Sequence, residues 1–122
     1  MMAKTARVLV VDDDARVREV LVGMLKLAGH RADYAPSGRE ALLRLEHESF
    51  DLVFTDLSMP DVDGWALAEE IRRRWPQLKI VLVTGYALQS EQDHRRHRLV
   101  NDIISKPIRF DDINATLSNV LA

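Results

Sequence analysis

Residues 7–21, RVLVVDDDARVREVL, decide the fold. Val8 to Val11 form an unbroken apolar run, the pattern of a strand buried on both faces. Asp12, Asp13 and Asp14 follow without a gap, although neighbouring carboxylates repel one another and resist leaving water. The periodicity then changes. Val17, Val20, Leu21, Met24, Leu25 and Ala28 form one helical stripe, with Gly29 placed to stop it.

The same alternation runs to the end of the chain. Further strands read as RADYA (31–35), DLVFTD (51–56), KIVLVT (79–84) and NDII (101–104). Three of the five are near-continuous Val, Leu, Ile and Phe, so helices must cover both sides of the sheet. Ser37 and Glu40 form a capping-box pattern ahead of Ala41, Leu42 and Leu45. Trp65, Ala68 and Ile71 make a third stripe closed by Pro76, and Ile113, Leu117, Val120 and Leu121 make the last. A fourth helix is expected within LQSEQDHRRHR (88–98), whose apolar face is poor. Alternating strands and helices joined by right-handed crossovers give an open, doubly wound α/β domain with a parallel sheet.

At 122 residues the chain suits one domain, residues 1–122, and its 47% hydrophobic content is enough for a core without staples. The absence of cysteine excludes disulfides and thiolate metal sites. No apolar run approaches a bilayer span, so a cytoplasmic protein with no membrane contact is expected. A formal charge of −2 gives no push toward direct nucleic-acid binding.

In a sheet of this kind, ligands bind outside the carboxyl ends of the strands. Those positions carry Asp12 and Asp13, then Asp56, then Thr84 and Gly85, then Lys106. Two carboxylates about 4 Å apart repel by roughly 4 kcal/mol at an effective dielectric near 20. A divalent cation relieves that repulsion, and all-oxygen ligation without Cys or His favours Mg²⁺ or Mn²⁺. An Asp beside Mg²⁺ is a nucleophile for a phosphoryl group, with an ammonium and a hydroxyl to hold the transferred oxygens.

VLVVDDD, DLVFTDLSMPDVDGW, IVLVTGY and SKPI stand in the order and at the separations found in receiver domains of two-component response regulators, which the chain resembles over nearly its whole length. The resemblance implies a flavodoxin-like fold in three layers, with strand order 2-1-3-4-5 and five helices. It implies phosphorylation of Asp56 by a histidine kinase, a phosphotransfer protein or a small phosphodonor. Asp12, Asp13, Asp56 and the Ser58 carbonyl become the Mg²⁺ ligands, with Mn²⁺ as substitute. Thr84 becomes the switch hydroxyl and Lys106 the phosphate-contacting lysine, with a cis Lys106–Pro107 bond. The downstream partner is unspecified, a homodimer through the last two strand–helix units is open, and the chain is a stand-alone regulator or a receiver from a longer regulator or hybrid kinase.

Other residues have plainer readings. Asp14 is expected to cap the first helix, Gly64 to serve the turn into the third, and Trp65 and Trp75 to pack. Arg95, Arg96 and Arg98 read as a solvated face, with docking of an acidic partner as the alternative. His94 and His97 are three apart without a third ligand, and His47 lies on a sheet-packing helix rather than in a bundle, so none of them reads as a metal or phosphotransfer site. Ile103 stands where receiver domains often carry an aromatic, and Leu99 and Val100 replace a small Gly-Ala step. Signalling is therefore expected mainly through the loop after Thr84 and the fourth helix.

Two other functions compete. A pseudo-receiver serving interaction or dimerisation would lack an acid or the lysine, and all are present. A Mg²⁺-dependent phosphohydrolase with an aspartyl nucleophile would carry Thr or Val at Arg16 and a cap domain. A signalling switch that assists its own phosphotransfer and dephosphorylation, rather than a metabolic enzyme, fits better. By the same resemblance Ser58 and Tyr86 flank the site at positions that tune the lifetime of the acyl phosphate, and Tyr86 is bulky enough to limit water access. Phosphate release is expected to be slower in the parent than in Tyr86→Ala, as a discontinuous phosphate-release assay would measure.

Overall fold

The computed structural model describes residues 5–85 and 96–122. Five strands form one parallel sheet: β1 (Arg7–Val11), β2 (Arg31–Ala35), β3 (Leu52–Asp56), β4 (Lys79–Thr84) and β5 (Asp102–Ser105). Their order is β2-β1-β3-β4-β5, so the chain reverses its direction of travel across the sheet between β1 and β3. The described residues hold four α-helices: α1 (Ala15–Leu27), α2 (Gly38–His47), α3 (Gly64–Arg74) and α4 (Phe110–Val120). The helix expected within 88–98 falls largely outside the described residues, and its described end is a short 3₁₀ turn, His97–Leu99.

Alternation along β1 builds both halves of the core. Val8 and Val10 face α1 and α4, where Leu21, Leu25, Phe54, Ile113 and Leu117 pack. Leu9 and Val11 face α2 and α3, where Ala41, Leu45, Trp65, Ile71 and Leu82 pack. Every residue of β3 is buried, which explains the lack of polar alternation in its sequence.

The first three helices are each capped by the side chain of their N-cap residue. Asp14 accepts from the Arg16 N–H at 2.9 Å, Ser37 from the Glu40 N–H at 3.1 Å, and Asp63 from the Ala66 N–H at 2.8 Å. At the opposite end of the sheet, Arg7 and Arg44 both pair with Glu48, and their hydrogen bonds pull its carboxyl down to about 2. Trp65 and Trp75 both pack against the α2/α3 side of the core, as expected.

Gly64 departs from its expected role. The left-handed residue in the β3–α3 loop is Asp61, at φ 66°, a conformation that Asp tolerates better than most side chains. What Gly64 supplies is room. A Cβ there would stand 2.4 Å from the Asp56 carbonyl oxygen and 2.8 Å from the Leu57 Cα. Both are backbone atoms, so no rotamer change relieves the clash. Gly23, in the middle of α1, has nothing within 4 Å of the same position. Gly64→Ala should lose about 2 kcal/mol or more of unfolding free energy in urea titrations. Gly23→Ala should gain about 0.5–1 kcal/mol in the same experiment.

Candidate functional site

The crest of the sheet places the sequence-predicted acids together because each follows a strand whose neighbours fix its position. Asp12 directly follows β1 and is 3% exposed, while Asp56 ends β3 and is 8% exposed. Asp13 is exposed beside them. Ligand oxygens of Asp12, Asp13 and Asp56 all lie within 4.8 Å of one another, and among the described residues they form the one acidic group so arranged. Lys106 follows β5, and its Nζ lies 3.3 Å from Asp56 Oδ1 and 3.6 Å from Asp12 Oδ2. The Lys106–Pro107 peptide is cis.

Strand register places Thr84 at the crest, and Ser58 lies on the loop that follows Asp56. Asp56 is paired with Val83, which puts Thr84 one residue beyond the Asp56 rung. Thr84 is buried, and its carbonyl accepts the Lys106 N–H at 2.9 Å. Ser58 is exposed on the loop after Asp56. That loop is tied at both ends: Leu57 N–H donates to the Val83 carbonyl, and Gly64 N–H donates to the Leu57 carbonyl. Its Val62 side chain rests on Gly38, where a Cβ would stand 2.9 Å from Val62 Cγ1.

Asp12 bears the electrostatic strain. Burial raises its pKa above the usual value, the hydrogen bond from Asp14 N–H opposes this, Asp56 raises it further and Lys106 lowers it. Three carboxylates against one ammonium leave the group with two negative charges in excess. A divalent cation matches that excess, and the hard oxygen donors suit Mg²⁺, whose octahedral shell at about 2.1 Å sets opposite ligands about 4.2 Å apart. The donors present therefore fit Mg²⁺.

Three contacts escaped the sequence reading. The Asp12 backbone N–H donates to the Ala35 carbonyl at 3.3 Å, and the Arg18 Nη1 donates to the Asp12 carbonyl at 2.9 Å. The Arg18 guanidinium lies 4.9 Å from the centroid of the Tyr34 ring. An Arg four residues past a helix cap was the available signal, because helical side chains lean back toward the N-terminus.

The other candidates lie apart from the crest. Asp14 is the α1 cap, and His47 Nδ1 lies 2.8 Å from the Leu43 carbonyl on its own helix. Arg96 pairs with Glu69 at 3.7 Å, and Arg98 is exposed. Tyr86, His94 and Arg95 lie outside the described residues, so neither the screening role of Tyr86 nor the His94–His97 pair is part of this geometry.

The profile of the family described as "Response regulator receiver domain" matches residues 8–118. The response regulator receiver protein CpdR of Brucella abortus is 35% identical over 118 residues, covering 94% of this chain and 96% of that protein. The transcriptional regulatory protein ZraR of Escherichia coli is 34% identical over 115 residues, covering 94% of this chain but 26% of that protein. The chain thus spans about a quarter of the length of ZraR. Among solved structures, the response regulator protein TrrA of Thermotoga maritima, in complex with Mg(2+)-BeF, superposes with a TM-score of 0.86 at 32% identity. That match covers 95% of this chain and 99% of the other.

The raised pKa of Asp12 has a sign that can be tested. A carboxylate whose folded pKa lies above its unfolded value weakens the fold while ionised, and the loss is relieved as pH falls through the folded pKa. Asp12→Asn keeps an acceptor for the Asp14 N–H and removes the charge. Without metal at pH 7 it should be more stable than the parent, a difference that shrinks on acidification. Added Mg²⁺ should stabilise the parent and leave the variant nearly unchanged, as chemical unfolding with and without EDTA would measure.

Proposed function

The chain belongs to the response regulator receiver domain family of two-component systems, and on that premise we propose that Asp56 accepts a phosphoryl group from a histidine kinase, a phosphotransfer protein or a small phosphodonor. The observation that carries this reading is the Asp56 carboxylate, 8% exposed and 3.3 Å from the Lys106 ammonium inside a three-carboxylate cluster.

An oxygen of Asp56 attacks phosphorus as the bond from phosphorus to the donor breaks, giving an acyl phosphate and the released donor. Lys106 moves its charge from Asp12 and Asp56 to the incoming phosphoryl oxygens, and the Thr84 hydroxyl donates to one of them. Asp12, Asp13, Asp56 and the Ser58 carbonyl would hold Mg²⁺, which supplies neutralisation of the phosphoryl oxygens when bound. Attack of water on phosphorus then breaks the bond to the Asp56 oxygen, releasing inorganic phosphate and returning the carboxylate.

In this reading residues 1–122 are one receiver domain, a switch rather than a metabolic enzyme. Phosphorylation at the crest alters the surface around the end of β4 and the segment after it, and a downstream partner or output domain reads the change. It acts in the cytoplasm without touching nucleic acid itself. The filled acid and lysine positions weigh against a purely structural pseudo-receiver.

Incubation with acetyl phosphate and Mg²⁺ should place about one phosphoryl group on each chain, measured by intact mass. Asp56→Asn should take none, EDTA should prevent labelling of the parent, and Lys106→Ala should label far more slowly. Full labelling of Asp56→Asn would reject the assignment.

A further inference from the structure

We propose that Arg18 is the positioning residue that aims the two β1-end carboxylates at a cation, and that Tyr34 is its brace; this rests on the metal-site reading given above. Three elements meet at the Asp12 main chain. Its N–H is held by the Ala35 carbonyl of β2 at 3.3 Å, and its carbonyl is held by Arg18 of α1 at 2.9 Å. Its carboxylate accepts from the Asp14 N–H at 2.9 Å and faces Lys106 at 3.6 Å.

The carbonyl contact matters because the peptide unit between Asp12 and Asp13 is a rigid plane. Fixing its oxygen fixes the last torsion of Asp12 and the first of Asp13 together. Those two torsions set the angle between the buried carboxylate of Asp12 and the exposed one of Asp13. Arg18 therefore acts on both ligands without touching either carboxylate.

Tyr34 makes this contact durable. The half-buried guanidinium lies over the aromatic ring, 4.9 Å from its centroid, and that cation–π contact limits the rotamers open to a long side chain. Tyr34 is itself positioned by the β1–β2 ladder, where it pairs with Val10. Half of its surface is exposed, so packing alone does not account for the ring.

Charge and positioning predict opposite outcomes. A guanidinium acting only through its field repels a divalent cation, and its removal would tighten binding. A guanidinium that orients ligands improves binding, and its removal weakens it.

The test uses the full chain with MgCl₂ alone, titrated by calorimetry, beside acetyl phosphate labelling rates across the same Mg²⁺ range. Arg18→Met should raise the half-saturating Mg²⁺ by about tenfold, the scale of an outer-shell ligand support. Its labelling rate at saturating Mg²⁺ should stay within about twofold of the parent, because Asp56, Lys106 and Thr84 are intact. Arg18→Lys keeps a donor and should recover most of the affinity. Tyr34→Leu should weaken Mg²⁺ binding by about threefold, while Tyr34→Phe keeps the ring and should match the parent. Urea unfolding of each variant separates these changes from loss of stability, and the Tyr34 pair decides the matter if Arg18→Met folds poorly. Parent-like or tighter Mg²⁺ binding in Arg18→Met, or in Tyr34→Leu, overturns the positioning role alone. A parent chain that binds no Mg²⁺ overturns the metal-site reading and this role with it.

Discussion

The ammonium of Lys106, set between Asp12 and Asp56, is the contact on which the crest of this molecule depends. The two acids approach the same point because β1 and β3 are neighbours in a sheet whose central strands are almost wholly buried. They cannot move apart without disturbing the ladder, and Asp12 has little water with which to dilute its charge. A cation at the end of β5 offsets the repulsion, and the remaining negative charge is what a divalent ion or a transferred group can use. Fold and site are therefore linked through electrostatics. The apolar sheet forces the acids together, and their mutual repulsion makes the crest receptive to a cation.

Much of this was legible in the residues because strand burial and strand ends leave strong marks. VLVV, LVFT and IVLV read as strands buried on both faces, and the polar residue after each of them sits at the crest. The Asp14 and Ser37 caps were also readable, since a capping residue acts over a separation of two or three positions. The fourth helical pattern was the weakest in the sequence, and only its 3₁₀ end falls among the described residues.

What could not be read were contacts that depend on three-dimensional approach. Gly64 looked like a turn residue, but its role is the space it leaves for the Asp56 carbonyl, a distance no local pattern encodes. Arg72 is a sharper case. It stands in a run of three arginines, 72–74, in the last turn of α3. Its guanidinium instead donates to the carbonyls of Pro76, Leu78 and Leu99, and burial lowers its pKa. Arg73 and Arg74 pair with Glu70 and Glu46, as surface arginines commonly do. Spacing gives the three residues almost the same signature, and only the path of the chain past β4 distinguishes them.

Arg72 also bears on how the crest communicates with the rest of the domain. Asn101 accepts from both Arg72 and the Ile80 N–H, which ties the end of α3 to the starts of β4 and β5. Val100 belongs to the apolar cluster that contains Trp65, and Leu99 and Ile103 pack against that cluster. The approach to β5 is therefore pinned at the end of the sheet opposite Lys106, by hydrogen bonds as well as by packing. With Ile103 partly buried in place of an aromatic, β5 offers no ring whose rotation could carry a signal. An altered charge at Asp56 would then act on a β5 held at both ends, by Asn101 and Arg72 at its start and by the Lys106 N–H bond to the Thr84 carbonyl at its far end.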